Sequence, residues 1–109
     1  MGKQAAQLIR DAGSGEIAIS AITLIELVQI AKKGRITLLG REFRGLHRIA
    51  ETFAIIPIDA HVAIDSIQVP LPHADPFDRI IVATARRHGL TLLTRDSNIT
   101  DSGCVETVW

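Results

Sequence analysis

Four carboxylates of this chain lie where a polar site is expected: Glu26, Asp75, Asp78 and Asp96. Asp75 and Asp78 belong to the run HADPFDR, at the predicted start of a helix. Asp96 directly follows a predicted strand, at the kind of strand end where open α/β sheets bind ligands. Carboxylate oxygens suit hard cations such as Mg²⁺. These residue types therefore predict a metal site of the kind that activates water to hydrolyse a phosphodiester.

Three of these carboxylates also have a purely structural explanation. Asp75 precedes Pro76, and N-capping of the helix explains it slightly better than metal binding does. Asp78 suits the helix dipole, but its place beside Asp75 on one helix face favours a metal role. For Asp96, a turn in the run RDSN and a metal role explain the residue equally well.

Glu26 is the single ionisable residue between positions 17 and 31. The surrounding segment is apolar on nearly all sides, which predicts a largely buried helix. An unpaired carboxylate in such a helix is strongly unfavourable or becomes protonated. A metal cation would compensate its charge, and a salt bridge to Arg79 is the less favoured alternative.

Alternating helices and strands are predicted to position these carboxylates. Apolar periodicity, caps and glycine stops predict helices over residues 3–12, 21–33, 41–52, 60–67 and 76–88. Short apolar runs predict strands over residues 17–19, 54–58, 91–94 and 105–109. In the last helix, the buried stripe is predicted to be Phe77, Ile81 and Ala85, with Ile80 beside it. The alternation predicts an α/β fold whose parallel sheet is covered on both faces.

Length and composition bound the class of protein. The 109 residues suffice for a single domain over residues 1–109. Hydrophobic residues make up 47% of the chain and aromatic residues only 4%, which is typical of an aliphatic α/β core rather than of an aromatic binding platform. Cys104 is the sole cysteine, which excludes a disulfide framework or a zinc cluster within one chain. The lack of an apolar leader or membrane span in the sequence predicts a cytoplasmic protein.

The run DPFDRIIVATARRHGLTLLTRD resembles the C-terminal signature of PIN-domain nucleases, especially the VapC-type toxins of bacterial toxin–antitoxin pairs. The run ISAITLIELVQIAKKGRI resembles the segment that supplies the characteristic Glu of that family. The likeness extends from about residue 5 to the end of the chain. It implies a PIN-like three-layer α/β/α fold and an endoribonuclease that uses Mg²⁺ or Mn²⁺. It also implies an RNA substrate and a cognate antitoxin as partner.

Carried over by position, the resemblance implies that Glu26, Asp78 and Asp96 are the metal ligands and catalytic carboxylates. Asp75 would be a flanking acid, and Thr94 a polar residue that supports the site. Such a site would hydrolyse phosphodiester bonds of RNA through a metal-activated water.

The basic and acidic residues are separated along the chain. Residues 32–48 contain six basic residues and one acidic residue, whereas residues 49–78 contain five acidic residues and no Lys or Arg. Such a split suits a protein that holds phosphates on one surface and cations on another, although two solvated faces would give the same pattern. Lys32, Lys33 and Arg35 are therefore predicted to contact the RNA backbone.

The start of the chain departs from the family pattern. Family members begin with a short apolar strand that ends in an Asp and lies in the middle of the sheet. This chain begins with what resembles the following helix, and Asp11 is a poor substitute since no apolar strand precedes it. Three explanations stay open: an N-terminally truncated chain, a degenerate gene product, or a gap filled by a strand of another chain. The alternative function is a catalytically impaired module that binds an antitoxin or another partner, and homodimerisation is left open.

Overall fold

A computed structural model describes residues 2–13, 16–32, 44–72 and 74–109. The described elements are, in chain order, α1 (Lys3–Asp11), β1 (Ala18–Ser20), α2 (Ala21–Lys32), α3 (Arg44–Thr52), β2 (Ala54–Ile56), α4 (Ala60–Gln68), α5 (Pro76–Arg87), β3 (Leu92–Leu93), α6 (Ser97–Ser102) and β4 (Thr107–Val108). The chain divides into a larger unit, Met1–Ala12 with Ile58–Trp109, and a smaller unit, Gly13–Pro57. Among the described helices, none is long and apolar enough to cross a membrane.

The smaller unit is built on two parallel strands. β1 pairs with β2, and Ala18 lies opposite Ala54. Ser20 ends β1, and its Oγ accepts a hydrogen bond from the N–H of Ile22 at 3.3 Å, which satisfies one donor in the first turn of α2. The strand therefore leads directly into the helix that carries Glu26.

The larger unit contains a second pair of parallel strands, β3 and β4, with Leu92 opposite Thr107. In the same unit α4 packs against α5. Asp59 begins α4, because its Oδ1 accepts a hydrogen bond from the N–H of Val62 at 2.9 Å. The core of this unit consists of buried aliphatic residues from three helices and from the segment before α5: Val62, Val69, Leu71, Val82, Ala83 and Ile99. This shared core ties α4, α5 and α6 into one body.

The predicted α/β fold with parallel strands is confirmed, but the predicted buried stripe of α5 is wrong in most positions. The helix buries the consecutive residues 82–85, whereas Phe77 and Ile81 are only half-buried. Four consecutive residues point to more than one side of a helix, so this end of α5 is covered on more than one side. Val62 of α4 and Ile99 of α6 belong to the core that it enters. Burial in α5 therefore follows position along the helix rather than a single face.

Two further elements differ from the prediction. The strand β2 is not buried as predicted, because Ala54 is exposed and the two residues after it are half-buried. The short helix α6 has no counterpart among the predicted elements, although Asp96 as N-cap and Gly103, with φ of 65°, mark its two ends. Six residues are too few for an apolar periodicity to be visible. The predicted helix residues 33 and 41–43 lie outside the described residues, and the single domain over residues 1–109 stays a prediction.

Candidate active site

Three of the predicted carboxylates, Asp75, Asp78 and Asp96, lie in the larger unit at the N-termini of α5 and α6, and are called the acidic cluster below. Asp75 is the N-cap of α5, and its Oδ1 accepts a hydrogen bond from the N–H of Asp78 at 2.8 Å. Pro76 occupies the first helical turn, where it has no N–H to leave unsatisfied. The local sequence therefore fixes Asp75 and Asp78 one turn apart on the same helix.

Asp96 follows the end of β3 and is the N-cap of α6. Its Oδ1 accepts hydrogen bonds from the N–H groups of Asn98 at 2.8 Å and of Ile99 at 3.3 Å. Thr94, predicted to support the site, accepts a hydrogen bond on its Oγ1 from the N–H of Asp96 at 3.1 Å. The arrangement places a carboxylate at the carboxyl end of a parallel strand, where α/β sheets commonly bind ligands.

The carboxylates of the acidic cluster repel one another. Asp78 is half-buried, and burial, followed by repulsion from Asp75 and from Asp96, raises the pKa of its carboxyl above the usual value. Both neighbouring carboxylates therefore lie close enough to Asp78 to act on its charge. A cation placed among them would relieve this repulsion.

The donor atoms of the cluster fit a hard divalent cation. Asp75 and Asp96 each use Oδ1 for capping, and Oδ2 of each takes part in none of the described hydrogen bonds. Over the residues that the structure describes, no three His, Cys, Asp or Glu side chains form a set that could hold a metal ion on their own. Mg²⁺ usually keeps several waters and takes only one or two carboxylates, so the cluster suits an ion that is held partly by water.

Two polar residues that sequence reasoning did not place at this site contact the segment of residues 69–72, called the 69–72 segment below. Arg79, one residue after Asp78, donates from Nη1 to the carbonyl of Val69 at 2.9 Å and from Nη2 to the carbonyl of Leu71 at 2.7 Å. Asn98 donates from Nδ2 to the carbonyl of Pro72 at 3.1 Å. The available signal was the pair of prolines in PLP, which cannot continue a helix, so the carbonyls of this segment need partners outside one.

The other predicted site residues lie in the smaller unit or outside the described residues. Glu26 lies half-buried in the middle of α2, and Lys32 is exposed at the end of that helix. The helix is less buried than predicted, since Ile25 is 47% exposed; an apolar composition alone does not guarantee burial. Lys33 and Arg35 fall outside the described residues.

Comparisons with known proteins match the expected family. The chain is 35% identical over 85 residues to Ribonuclease VapC22 of Mycobacterium tuberculosis, an alignment that covers 77% of this chain and 65% of that protein. The chain thus spans less than two thirds of that relative. A toxin–antitoxin complex from Klebsiella pneumoniae contains a similar structure, with a TM-score of 0.70, 26% identity, and coverage of 100% of this chain and 85% of that one.

A second similar structure is FitAcB from Neisseria gonorrhoeae, with a TM-score of 0.72 and 25% identity. The match covers 99% of this chain and 85% of that one. A family model described as the PIN domain matches residues 2–102. The PIN-like fold and the resemblance that the DPFDR and LLTRD runs carry are thereby confirmed, and this chain belongs to the PIN domain family.

Proposed function

We propose that this chain is a metal-dependent endoribonuclease that acts as the toxin of a bacterial toxin–antitoxin pair. The observation that carries the proposal is the acidic cluster, in which the pKa of Asp78 is raised by burial and by its neighbours Asp75 and Asp96. Membership of the PIN domain family and the similarity to a VapC ribonuclease support it.

The cation of this proposal is Mg²⁺ or Mn²⁺, held by Asp78 and Asp96, with Glu26 as a further ligand by family resemblance and Asp75 as a flanking acid. Such an ion would activate a water for attack and would stabilise negative charge on the phosphate oxygens. Asp75 and Asp96 keep their carboxylates oriented through the capping bonds on Oδ1. Thr94 holds the backbone of Asp96 in place through its hydroxyl.

The RNA backbone is proposed to contact Lys32, Lys33 and Arg35. Lys32 is exposed at the end of α2 and so is accessible to a phosphate. Such contacts are blind to sequence and weaken as salt displaces them. We expect Lys32→Ala to weaken RNA binding and to reduce the slope of log affinity against log salt concentration by roughly 1.

The proposed protein partner is a cognate antitoxin. Similarity to a chain of the toxin–antitoxin complex from Klebsiella pneumoniae supports this partner. A toxin that cleaves RNA is expected to act in the cytoplasm. We also predict that the chain can form a homodimer, and analytical ultracentrifugation tests this prediction. Addition of the purified antitoxin in equal amount should abolish RNA cleavage, whereas undiminished cleavage would contradict this partner.

RNA cleavage in the presence and absence of Mn²⁺ tests the activity. We expect cleavage by the unmodified chain with Mn²⁺, none with a chelator, and a loss of more than about 100-fold in Asp78→Asn and in Asp96→Asn, since these remove proposed ligands. Asn caps a helix as well as Asp does, so Asp96→Asn preserves α6. Asp101→Asn, the same change at an exposed position of α6, serves as the control. Cleavage that persists with a chelator, or that is unaffected in both cluster variants, would refute the proposal.

A second candidate function is a catalytically impaired module that binds an antitoxin or another partner. It is favoured by the finding that, within the described ranges, no three His, Cys, Asp or Glu side chains are arranged so that they could together hold a metal ion. Isothermal titration with Mg²⁺ separates the two candidates. Stoichiometric binding that Glu26→Gln abolishes supports the enzyme, whereas tight antitoxin binding without any metal binding supports the module.

A further inference from the structure

The 69–72 segment connects α4 to α5 and presents three carbonyls to side chains of two different helices. Arg79 of α5 binds the carbonyls of Val69 and Leu71, and Asn98 of α6 binds the carbonyl of Pro72. Proline at positions 70 and 72 removes two N–H donors. The N–H of Leu71 donates to the carbonyl of Val69 at 2.8 Å, so the backbone makes a tight turn at Pro70. The segment is therefore a shared anchor for the helices that carry the acidic cluster.

Two side chains of this segment, those of Val69 and Leu71, are buried, whereas Pro70 and Pro72 are exposed. Val69 is 4% exposed and Leu71 is 1% exposed, and both belong to the core of the larger unit. Their carbonyls are therefore fixed acceptors for the fork of the Arg79 guanidinium. A planar guanidinium donates two parallel hydrogen bonds in a fixed geometry, which a lysine ammonium does not reproduce.

Each anchoring residue lies within two residues of the carboxylate that it would position. Arg79 follows Asp78 directly in the first turns of α5. Asn98 donates its backbone N–H to Oδ1 of Asp96 and its side chain to the 69–72 segment. The same two residues thus connect Asp78 and Asp96 through one rigid segment.

We propose that Arg79 and Asn98 are positioning residues that set the separation of the Asp78 and Asp96 carboxylates by clamping both helix starts to the 69–72 segment. This inference rests on the proposed metal site for its functional consequence. Residues that orient ligands from behind typically contribute 10–100-fold to metal affinity. Loss of the clamp should therefore weaken metal binding while both carboxylates remain.

Isothermal titration with Mn²⁺ measures this consequence. We expect the dissociation constant to rise by about 10-fold or more in Arg79→Lys and in Asn98→Ala. Arg87→Lys is the matched control, because Arg87 is on the same helix and its guanidinium binds the carboxylate of Asp65 at 3.0 Å, away from the 69–72 carbonyls. It should bind Mn²⁺ like the unmodified chain. Equal affinity in Arg79→Lys, Asn98→Ala and Arg87→Lys would overturn the positioning role, even if all three variants lose thermal stability.

Amide hydrogen exchange without metal tests the clamp itself. We expect Arg79→Lys to speed exchange at the amides of Asn98 and Ile99 in α6, and Asn98→Ala to speed exchange at the amide of Asp78 in α5. Arg87→Lys should leave the exchange rates of these three amides unchanged. Effects confined to the mutated helix would refute the clamp. If the unmodified chain binds no Mn²⁺, the proposed metal site fails, and the cross-helix exchange still decides whether the clamp exists.

Discussion

The direction in which the pKa of Asp78 is shifted leads to a test without metal. Burial, and then repulsion from Asp75 and Asp96, raises its pKa in the folded state. The stability that this group contributes is therefore present below its unfolded pKa, near 3.9, and is lost as the pH rises through the higher folded value. At neutral pH, the charged carboxylate destabilises the fold.

We accordingly expect Asp78→Asn to melt at a higher temperature than the unmodified chain at pH 7 in the presence of a chelator. The gain should be below about 1 kcal/mol, because the group is only partly buried and solvent screens it. The difference in stability between the variant and the unmodified chain should vanish as the pH falls toward 3, where the carboxyl of Asp78 is protonated. Thermal melts of both proteins from pH 3 to pH 8 measure this difference. A variant that is less stable than the unmodified chain by the same amount at every pH would show that the pKa of Asp78 is not raised.

Asp59 shows the opposite behaviour in the same unit. The hydrogen bond from the N–H of Val62, the main cause, lowers the pKa of Asp59, so its stabilising effect is present above the unfolded pKa and is lost as the pH falls through the folded value. Asp59→Asn retains a capping oxygen but no charge, so it should lose stability at pH 7 and match the unmodified chain in acid. Asp59→Ala should melt lower at every pH. Melting curves in which Asn and Ala variants behave alike would show that the cap does not act as described.

At the scale of the elements, the contrast between buried and exposed aliphatic residues gives a direct test of the core. Leu71 is 1% exposed and belongs to the core of the larger unit, whereas Ile67 on α4 is 80% exposed. We expect Leu71→Ala to lower the free energy of unfolding by roughly 2–5 kcal/mol. Ile67→Ala, which removes a similar volume from the surface, should change it by less than about 0.5 kcal/mol. Denaturant unfolding measures both, and similar values for the two variants would disprove the assignment of the core.

The helix α5 shows which features can be predicted from the sequence and which cannot. The start of α5 was predictable, because Asp75 and Pro76 act through local rules for capping. The burial of α5 was not, since it depends on residues of α4 and α6 that join the same core. The same limit applies to the site: Asp75, Asp78 and Asp96 could be selected by residue type, but the roles of Arg79 and Asn98 depend on carbonyls about ten and twenty-six residues away in the chain.

At the scale of the whole molecule, the described strands form two short parallel pairs, one in each unit. Parallel strands are usually buried in larger sheets, and two-stranded sheets contribute little stability by themselves. In the larger unit, the acidic cluster is therefore supported mainly by the packing of α4, α5 and α6. A bound cation should add to that support, because it binds the folded state and not the unfolded chain.

Isothermal titration of the chain with Mn²⁺ shows whether the acidic cluster binds a divalent cation. We predict saturable, stoichiometric binding by the unmodified chain and by Asp101→Asn, and a dissociation constant more than about 10-fold higher in Asp78→Asn. No saturable binding by the unmodified chain, or equal binding by Asp78→Asn, would show that the acidic cluster is not a metal site.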